Sequence, residues 1–116
     1  EPLGPVVRHG DDQWFDIVKW THYVLLTAEE TGVTKANVDQ MKTSTNPDIK
    51  RMLGVEGDFG KALGLNNDFA IGVIKAVGNY GELFEKNLGT GSPLKISRGV
   101  NQLWNKGGLQ YAPPIR

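Results

Sequence analysis

Apolar residues recur at steps of three and four in the first third of the chain, and this spacing predicts one long helix from Asp11 to about Thr31. Its core stripe consists of Trp14, Ile17, Val18, Thr21, Val24, Leu25 and Ala28. Other large apolar side chains lie off that stripe, namely Phe15, Trp20, Tyr23 and Leu26. A helix that is apolar on several sides is normally covered by neighbours on each of them. A chain this short can hardly supply them all, so we expect part of the helix to be covered by something outside the chain.

The ends of this helix carry start and stop signals. Asp11 and Asp12 place negative charge at the positive end of the helix dipole, and Gly32 follows the last turn. Before the helix, the segment from Glu1 to Gly10 has two prolines and the apolar pair Val6-Val7. This pattern predicts a single short strand that leads into a turn.

Shorter helices are predicted in the middle of the chain. One runs from Thr34, as its N-cap, to Lys42. A second is opened by Asn46-Pro47, because proline is well tolerated in a first helical turn, and is closed by Gly54.

A longer helix is predicted from Asn67 or Asp68 to about Asn87. Its apolar stripe would consist of Phe69, Val73, Val77, Tyr80, Phe84 and Leu88. Three glycines lie inside it, and each costs about 1 kcal/mol relative to alanine in a helix interior. They are Gly72, Gly78 and Gly81. Either the helix breaks near Gly78-Asn79, or the glycines let another backbone approach closely.

The remaining segments favour loops and a tail. Gly89 to Pro93 predicts a loop, and residues 98–116 predict a tail with one helical turn around Leu103-Trp104 and an extended path through Pro113-Pro114. As a whole, residues 1–116 predict a single α+β domain or fragment that is mostly helical, with one short N-terminal strand followed by helices.

Composition narrows the classes of function. The 116 residues suffice for one domain at most, and 13 basic residues balance 13 acidic ones, which removes the usual electrostatic case for binding nucleic acid or an anionic membrane. There is no cysteine, so disulfides, thiolate catalysis and zinc–sulfur sites are excluded. No apolar run approaches the ~20 residues that span a bilayer. Because the chain starts at Glu1 without a methionine or a signal peptide, we expect that processing or truncation removed an earlier segment.

His9, Asp11 and Asp12 supply three side chains of metal-binding type within four residues. No second group of histidine or cysteine residues completes a closed site. Aspartates at the start of a helix are explained by capping alone. We therefore expect no metal site.

Signals for an enzyme are equally weak. His22 shares a helix with Glu29 and Glu30, but neither glutamate is three or four residues away, so the spacing indicates no catalytic pair. Ser92 and Ser97 have no local histidine and no G-x-S-x-G context. The sequence predicts no catalytic residue and no cofactor.

Two glycine-containing stretches match phosphate or RNA motifs only in part. Gly57-Asp58-Phe59-Gly60-Lys61 has too few residues between its glycines for a P-loop and lacks the other kinase motifs. The neutral charge and missing β-sheet argue against the RNA clamp of a KH domain, so a turn between two helices is the preferred interpretation. Gly89-Thr90-Gly91-Ser92 could hold an anion with its N–H groups, but a flexible loop is favoured.

Tryptophans are more often core or interface residues than ligand platforms. The chain has three, Trp14, Trp20 and Trp104. One that faces outward would favour a partner site, since tryptophan is enriched in interface hot spots.

Four segments resemble one protein family in their order and spacing. They are RGVNQLWNKGGLQYAPPIR at 98–116, GPVVRHGDDQWF at 4–15, TAEE at 27–30 and VGNYGE at 77–82. The chain is similar to the C-terminal third of the periplasmic binding proteins that supply polar L-amino acids to ABC importers, in the general L-amino-acid-binding branch. The resemblance implies the C-terminal part of lobe one of a type II periplasmic-binding-protein fold. In that fold, Glu1 to Asp12 would be the strand that returns to lobe one.

A periplasmic, non-catalytic role in amino-acid transport is what the resemblance implies. The family holds the carboxylate of the ligand with an arginine and its ammonium group with an aspartate, and both lie upstream of the matched segments. Arg8 and Asp11 have suitable charges but do not fall at those positions. The ligand-binding residues are therefore unknown, and the chain alone is not expected to bind an amino acid.

The implied partners are the missing N-terminal portion of the binding protein or a second copy of the chain, and the ABC permease in the membrane. An L-amino acid is expected only in the complete protein, and nucleic acid is not expected. The alternative hypothesis is a stand-alone helical protein-interaction module, derived from the family, that does not bind amino acids. A complementary chain that accompanies this one would favour the first hypothesis.

Overall fold

The structure, a computed structural model, describes residues 2–116. Its α-helices are α1 (Asp12–Thr31), α2 (Pro47–Met52), α3 (Phe59–Ala62), α4 (Phe69–Val77) and α5 (Tyr80–Asn87). Short 3-10 helices lie at Gln40–Thr43, Gly99–Asn101 and Trp104–Lys106. The helix α1 is the centre of the fold, because α2, α4 and α5 all pack against it.

The predicted N-terminal strand is wrong. No strand forms within residues 2–116, where the single β contact is an isolated parallel bridge between Leu103 and Gln110. Val6 and Val7 lie in a segment without regular structure, and no backbone hydrogen bond joins residues 2–7 to other described residues. A strand needs a neighbour that pairs with its N–H and C=O groups, and residues 2–116 contain none. Glu1, where the predicted segment begins, lies outside the described residues.

The long helix α1 begins and ends where the sequence predicted. The Asp11 side chain caps it, since its Oδ1 accepts the N–H of Trp14 at 3.0 Å. Gly32 ends it with a φ of 76°, in the left-handed region that glycine adopts without strain. Its N–H bonds to the carbonyls of Ala28 and Glu29.

The helix predicted from Thr34 to Lys42 is largely wrong, because turns precede a 3-10 helix at Gln40–Thr43. Local side-chain bonds explain the difference. The Asn37 Oδ1 accepts the Thr34 N–H at 2.7 Å, and the Thr34 Oγ1 accepts the Asn37 N–H at 3.2 Å. Such bonds offer the backbone an alternative to the helical ladder.

The helix α2 starts as predicted. The Asn46 Oδ1 accepts the N–H of Asp48 at 2.8 Å and that of Ile49 at 3.4 Å, and Pro47 occupies the first turn. The helix ends at Met52, two residues before Gly54, which has a φ of 77°.

The long helix predicted after Asp68 breaks at Gly78-Asn79, which was one of the two alternatives. Gly78 has a φ of 80°, and Asn79 starts α5 with a capping box. The Asn79 Oδ1 accepts the Glu82 N–H at 3.0 Å, while the Glu82 Oε2 accepts the Asn79 N–H at 2.8 Å. The break ends the predicted stripe, so Val77 is exposed and Ile74 is buried instead.

Two apolar clusters hold the fold together around α1. The main cluster consists of Val24, Ala28, Val33, Val38, Ile49, Met52, Leu53, Phe59, Leu63, Ala70, Ile74 and Ile115. The smaller one consists of Leu26, Leu103 and Ala112, with Tyr23 and Tyr80 packed against it. Both draw on the C-terminal half of α1, and the smaller one ties the tail to that helix.

Candidate functional site

The first turns of α1 present large apolar side chains to solvent. Trp14 is 52% exposed and Phe15 is 48% exposed, although the sequence placed Trp14 in the core stripe. Beside them lies an open cavity of about 520 Å³ between the helix and the N-terminal segment. Its lining consists of residues 5–12 together with Phe15, Val18, Lys19, His22 and Tyr23. We call this surface, the cavity with Trp14 and residues 2–4, the uncovered face.

The N-terminal segment adds to the uncovered face. Leu3 is 89% exposed and Val6 is 93% exposed. The backbone of residues 2–7 has no hydrogen-bond partner among the described residues. Apolar side chains and unpaired backbone groups in one place are the features of an interaction surface.

Charges of both signs lie on the uncovered face. The Lys19 ammonium is 3.5 Å from the Asp16 carboxylate and 4.9 Å from the centre of the Phe15 ring. Arg8, Asp11 and Asp12 also line the cavity, together with apolar and aromatic side chains such as Phe15 and Tyr23. This arrangement fits a protein partner better than a nucleic acid or a single charged ion.

Two aromatic rings lie beside the half-buried His22, which lines the cavity. Its ring centre is 6.2 Å from that of Tyr23 and 6.0 Å from that of Tyr80, with the Tyr80 ring nearly perpendicular. Burial lowers the pKa of His22, and burial raises the pKa of Tyr80. The imidazole is therefore held in its neutral form more strongly than in water.

A buried ion pair joins three of the four sequence segments that carried the family resemblance. The Arg98 Nη1 and Nη2 donate to the two Glu29 oxygens at 2.9 and 3.1 Å, with the side chains only 9% and 13% exposed. The guanidinium lies 5.3 Å from the Tyr80 ring centre, and its Nη2 also donates to the Asn101 carbonyl at 3.0 Å. Gly81 lies beside the pair, and a Cβ there would be 2.9 Å from the Glu29 Oε1, so a larger residue would have to displace the ion pair. These motif residues fix the tail to α1 and α5.

The sequence did not predict this pair. The sequence pairs Glu29 with no residue of its own helix, and the fold places it opposite Arg98. The two partners are 69 residues apart, so no local spacing could reveal them. The one available signal was that both belong to segments that resemble the same family.

The residues that the sequence analysis rejected as metal ligands or nucleophiles have other roles or lie apart. Asp11 caps α1, and within residues 2–116 no group of three His, Asp or Glu side chains is placed to hold a metal ion. Ser92 is buried, and its hydroxyl accepts the N–H of Leu94 at 3.1 Å. Ser97 is exposed. No described helix is both long and apolar enough to cross a bilayer.

The Gly57–Lys61 stretch is partly a turn and partly a helix. Residues 55–58 bend, and α3 then begins at Phe59, whose side chain belongs to the main cluster. Gly60 lies against the backbone of Asn66, which leaves no room for a Cβ. The glycine therefore serves close packing.

The Gly89–Ser92 loop does hold an anion, but the anion belongs to the chain. The Glu85 Oε2 accepts the Thr90 N–H at 2.9 Å and the Thr90 hydroxyl at 2.8 Å. These two bonds lower the pKa of Glu85. The donors that could have held an external ligand are thus occupied.

The tryptophans divide between core and surface. Trp20 is partly buried and packs edge-on against Phe59, with ring centres 5.7 Å apart. Trp104 is as exposed as Trp14 and lies 6.1 Å from the Tyr111 ring. This second aromatic pair lines a smaller groove of about 280 Å³ beside the tail.

Comparison with known proteins gives whole-chain matches. The general L-amino acid-binding periplasmic protein AapJ of Rhizobium johnstonii is 70% identical over 118 aligned residues, which are 100% of this chain and 35% of that protein. The glutamate/glutamine/aspartate/asparagine-binding protein BztA of Rhodobacter capsulatus is 58% identical over 117 residues, again 100% of this chain and 35% of that protein. No protein-family model matches the chain.

A solved structure of a related protein also matches the whole chain. An ABC transporter periplasmic binding protein from Brucella ovis, with glutathione bound, superimposes with a TM-score of 0.97 at 60% identity over 100% of this chain and 37% of that one. The chain thus spans about a third of the length of each protein that it matches. In sequence and in backbone, the chain is similar over its whole length to a stretch of about a third of these periplasmic and amino-acid-binding proteins of ABC transporters.

Proposed function

We propose that the chain is the C-terminal part of the amino-acid-binding subunit of an ABC importer and that it completes lobe one of that protein. The observation that carries the proposal is the match of the entire chain to about a third of each relative. The names of two relatives describe binding proteins for amino acids, and neither describes an enzyme.

The uncovered face supports the idea that the rest of the binding protein packs here. Trp14 and Phe15 are half exposed, and the cavity beside them opens to solvent. Burying such side chains contributes about 1.5–3 kcal/mol each. The unpaired backbone of residues 2–7 would gain hydrogen bonds by joining a sheet as the strand that returns to lobe one. The missing two thirds of the protein are the natural source of that sheet.

Ligand binding in this proposal depends on the upstream part. The relatives are described as binding general L-amino acids, four acidic or amide amino acids, or glutathione, and all of these carry a carboxylate and an ammonium group. Both charges need partners in a closed cleft. The Arg98–Glu29 pair is already satisfied internally, and Asp11 is used as a cap. The chain therefore acts by completing the fold, and the complete protein would pass its ligand to a membrane permease from the periplasm.

One observation favours the alternative, a stand-alone interaction module. Twelve buried residues form the main cluster within this chain, so the chain has a core of its own. The exposed Trp104 and Tyr111 would then offer a partner surface.

Reconstitution separates the two functions. The chain is mixed with the rest of the Rhizobium johnstonii protein, produced without the region that this chain matches, and native mass spectrometry measures the complex with and without glutamate or glutamine. We expect a one-to-one complex that binds an amino acid, whereas neither chain alone does. A chain that forms no complex, or a complex indifferent to every amino acid, would overturn the proposal.

A matched pair of substitutions tests the surface. Phe15→Ala on the uncovered face should weaken the complex at least about tenfold, which corresponds to about 1.4 kcal/mol. Leu109→Ala removes an apolar side chain that is even more exposed, 77% against 48%, but lies outside that face, and it should leave the complex unchanged. Equal effects of the two variants would remove the uncovered face from the interface.

A further inference from the structure

His22 is placed where a partner on the uncovered face would close over it. Its ring lines the cavity, and the Tyr23 and Tyr80 rings cover two of its sides. A chain packed into the cavity would remove most of the remaining water from the imidazole. Removing water from an ionisable group disfavours its charged form.

Among the described residues, no negatively charged group lies close enough to His22 to stabilise its protonated, positively charged form. No carboxylate within residues 2–116 lies within 4.0 Å of the imidazole nitrogens. Glu29, on the same helix, is engaged by Arg98, whose guanidinium lies 5.3 Å from the centre of the Tyr80 ring. Other titratable or charged groups line the cavity or lie near Tyr80. They are Arg8, His9, Asp11, Asp12, Lys19, Tyr23, Tyr80, Glu29 and Arg98.

We infer that docking of the remaining binding protein on the uncovered face is gated by pH through His22, so that acidification weakens the complex. This inference rests on the proposed function, because it takes the remainder of the binding protein as the occupant of that face. Nothing else in the chain needs to move for the gate to work. The switch is the proton on one imidazole.

The direction follows from linkage. Burial already lowers the pKa of His22 in the free chain, and docking buries the ring further, so the free chain takes up the proton more readily than the complex does. Affinity is therefore constant above the pKa of His22 in the free chain, which lies below the ordinary histidine value of about 6.5, and falls as pH decreases through it. Each lowering of the pKa by one on docking weakens binding about tenfold once the pH is below both values.

The test measures the dissociation constant of the reconstituted complex by calorimetry at about pH 7.5 and about pH 5.5, a range that titrates histidine and leaves exposed carboxylates charged. We expect weakening of about threefold to tenfold for the unmodified chain. His22→Gln and His22→Phe should both bind with little dependence on pH. His9→Gln changes the other histidine of the cavity and should keep the full dependence.

The outcomes are separable. If no complex forms at any pH, the proposed function fails. If a complex forms but its affinity is the same at both pH values, strengthens on acidification, or keeps its pH dependence in both His22 variants, the gate is overturned while the proposed function stands. If His9→Gln alone abolishes the dependence, the switch has been assigned to the wrong histidine and the inference also fails.

Discussion

The two halves of α1 differ in what they touch. The C-terminal half lies between two apolar clusters and a buried ion pair, all supplied by this chain. In the N-terminal half, Ile17 and Trp20 still pack against the main cluster, but the first turns face an open cavity and a segment without a single backbone hydrogen bond to the described residues. One continuous helix thus belongs to two environments, and only one of them is completed here. An apolar residue on such a helix indicates that its side chain is buried in the whole protein. The same side chain can be exposed in this chain alone.

The largest expected effect is on the main cluster, which packs against the C-terminal half of α1. Ile74→Ala removes a fully buried side chain from the main cluster and should lower the free energy of unfolding by about 3–4 kcal/mol. Trp14→Ala, on the other half of the comparison, should change it by less than about 0.5 kcal/mol. Urea unfolding of the isolated chain measures both. A large loss for Trp14→Ala would mean that the two halves of α1 do not differ.

The ion pair gives the next largest effect. Arg98→Ala leaves the Glu29 carboxylate without its partner and should cost about 2–3 kcal/mol. Lys42→Ala breaks an exposed pair with Asp39 and should cost less than about 0.5 kcal/mol. In a double-mutant cycle, Glu29→Gln should cost much less when Arg98 is already absent. Additive losses would show that the tail is held by other contacts.

The break between α4 and α5 offers a smaller effect. Asn79→Ala removes the capping box and the bond from Asn79 Nδ2 to the Val33 carbonyl at 2.9 Å, at a cost of about 1–2 kcal/mol. Asn66→Ala changes an exposed asparagine and serves as the control. Circular dichroism and urea unfolding measure the two variants. Equal stability would mean that Gly78 alone sets the break.

The smallest effect is the pH dependence of the isolated chain. His22 has a lowered pKa in the folded chain, so its contribution to stability is complete above the unfolded value of about 6.5 and is lost as pH falls through the folded value. Between about pH 7.5 and about pH 5.5, the free energy of unfolding should therefore fall more steeply with decreasing pH for the unmodified chain than for His22→Gln. Identical slopes would indicate that the open cavity already hydrates the ring.

Local signals predicted local structure well. Asp11 and Gly32 at the ends of α1, and Asn46-Pro47 at the start of α2, are confirmed because each acts on its own turn of backbone. The Thr34 segment was misread, since Asn37 bonds back to it in a geometry that the helical pattern does not reveal. The strand at Val6-Val7 was wrong because a strand depends on a neighbour and not on its own sequence.

The uncovered face and the Gly89–Ser92 loop were harder to predict, because they too depend on residues outside their own segments. The cavity exists because no segment of residues 2–116 covers the first turns of α1, and only the excess of apolar positions on that helix hinted at it. Glu85 fills the Gly89–Ser92 loop from a neighbouring helix. The sequence favoured a flexible loop there, with an anion cradle only as the alternative, and it gave no sign that Glu85 would be the anion.

The link between Glu29 and Arg98 also sets an order of events. It closes a loop of 69 residues, whereas the contacts within α2, α4 and their turns join residues close in sequence. Closing a longer loop costs more entropy before any contact repays it, so distant pairs form later than neighbouring ones. The Arg98–Glu29 contact therefore forms after the helical turns of α2 and α4 during folding, and it holds the start of a tail whose Ile115 belongs to the main cluster.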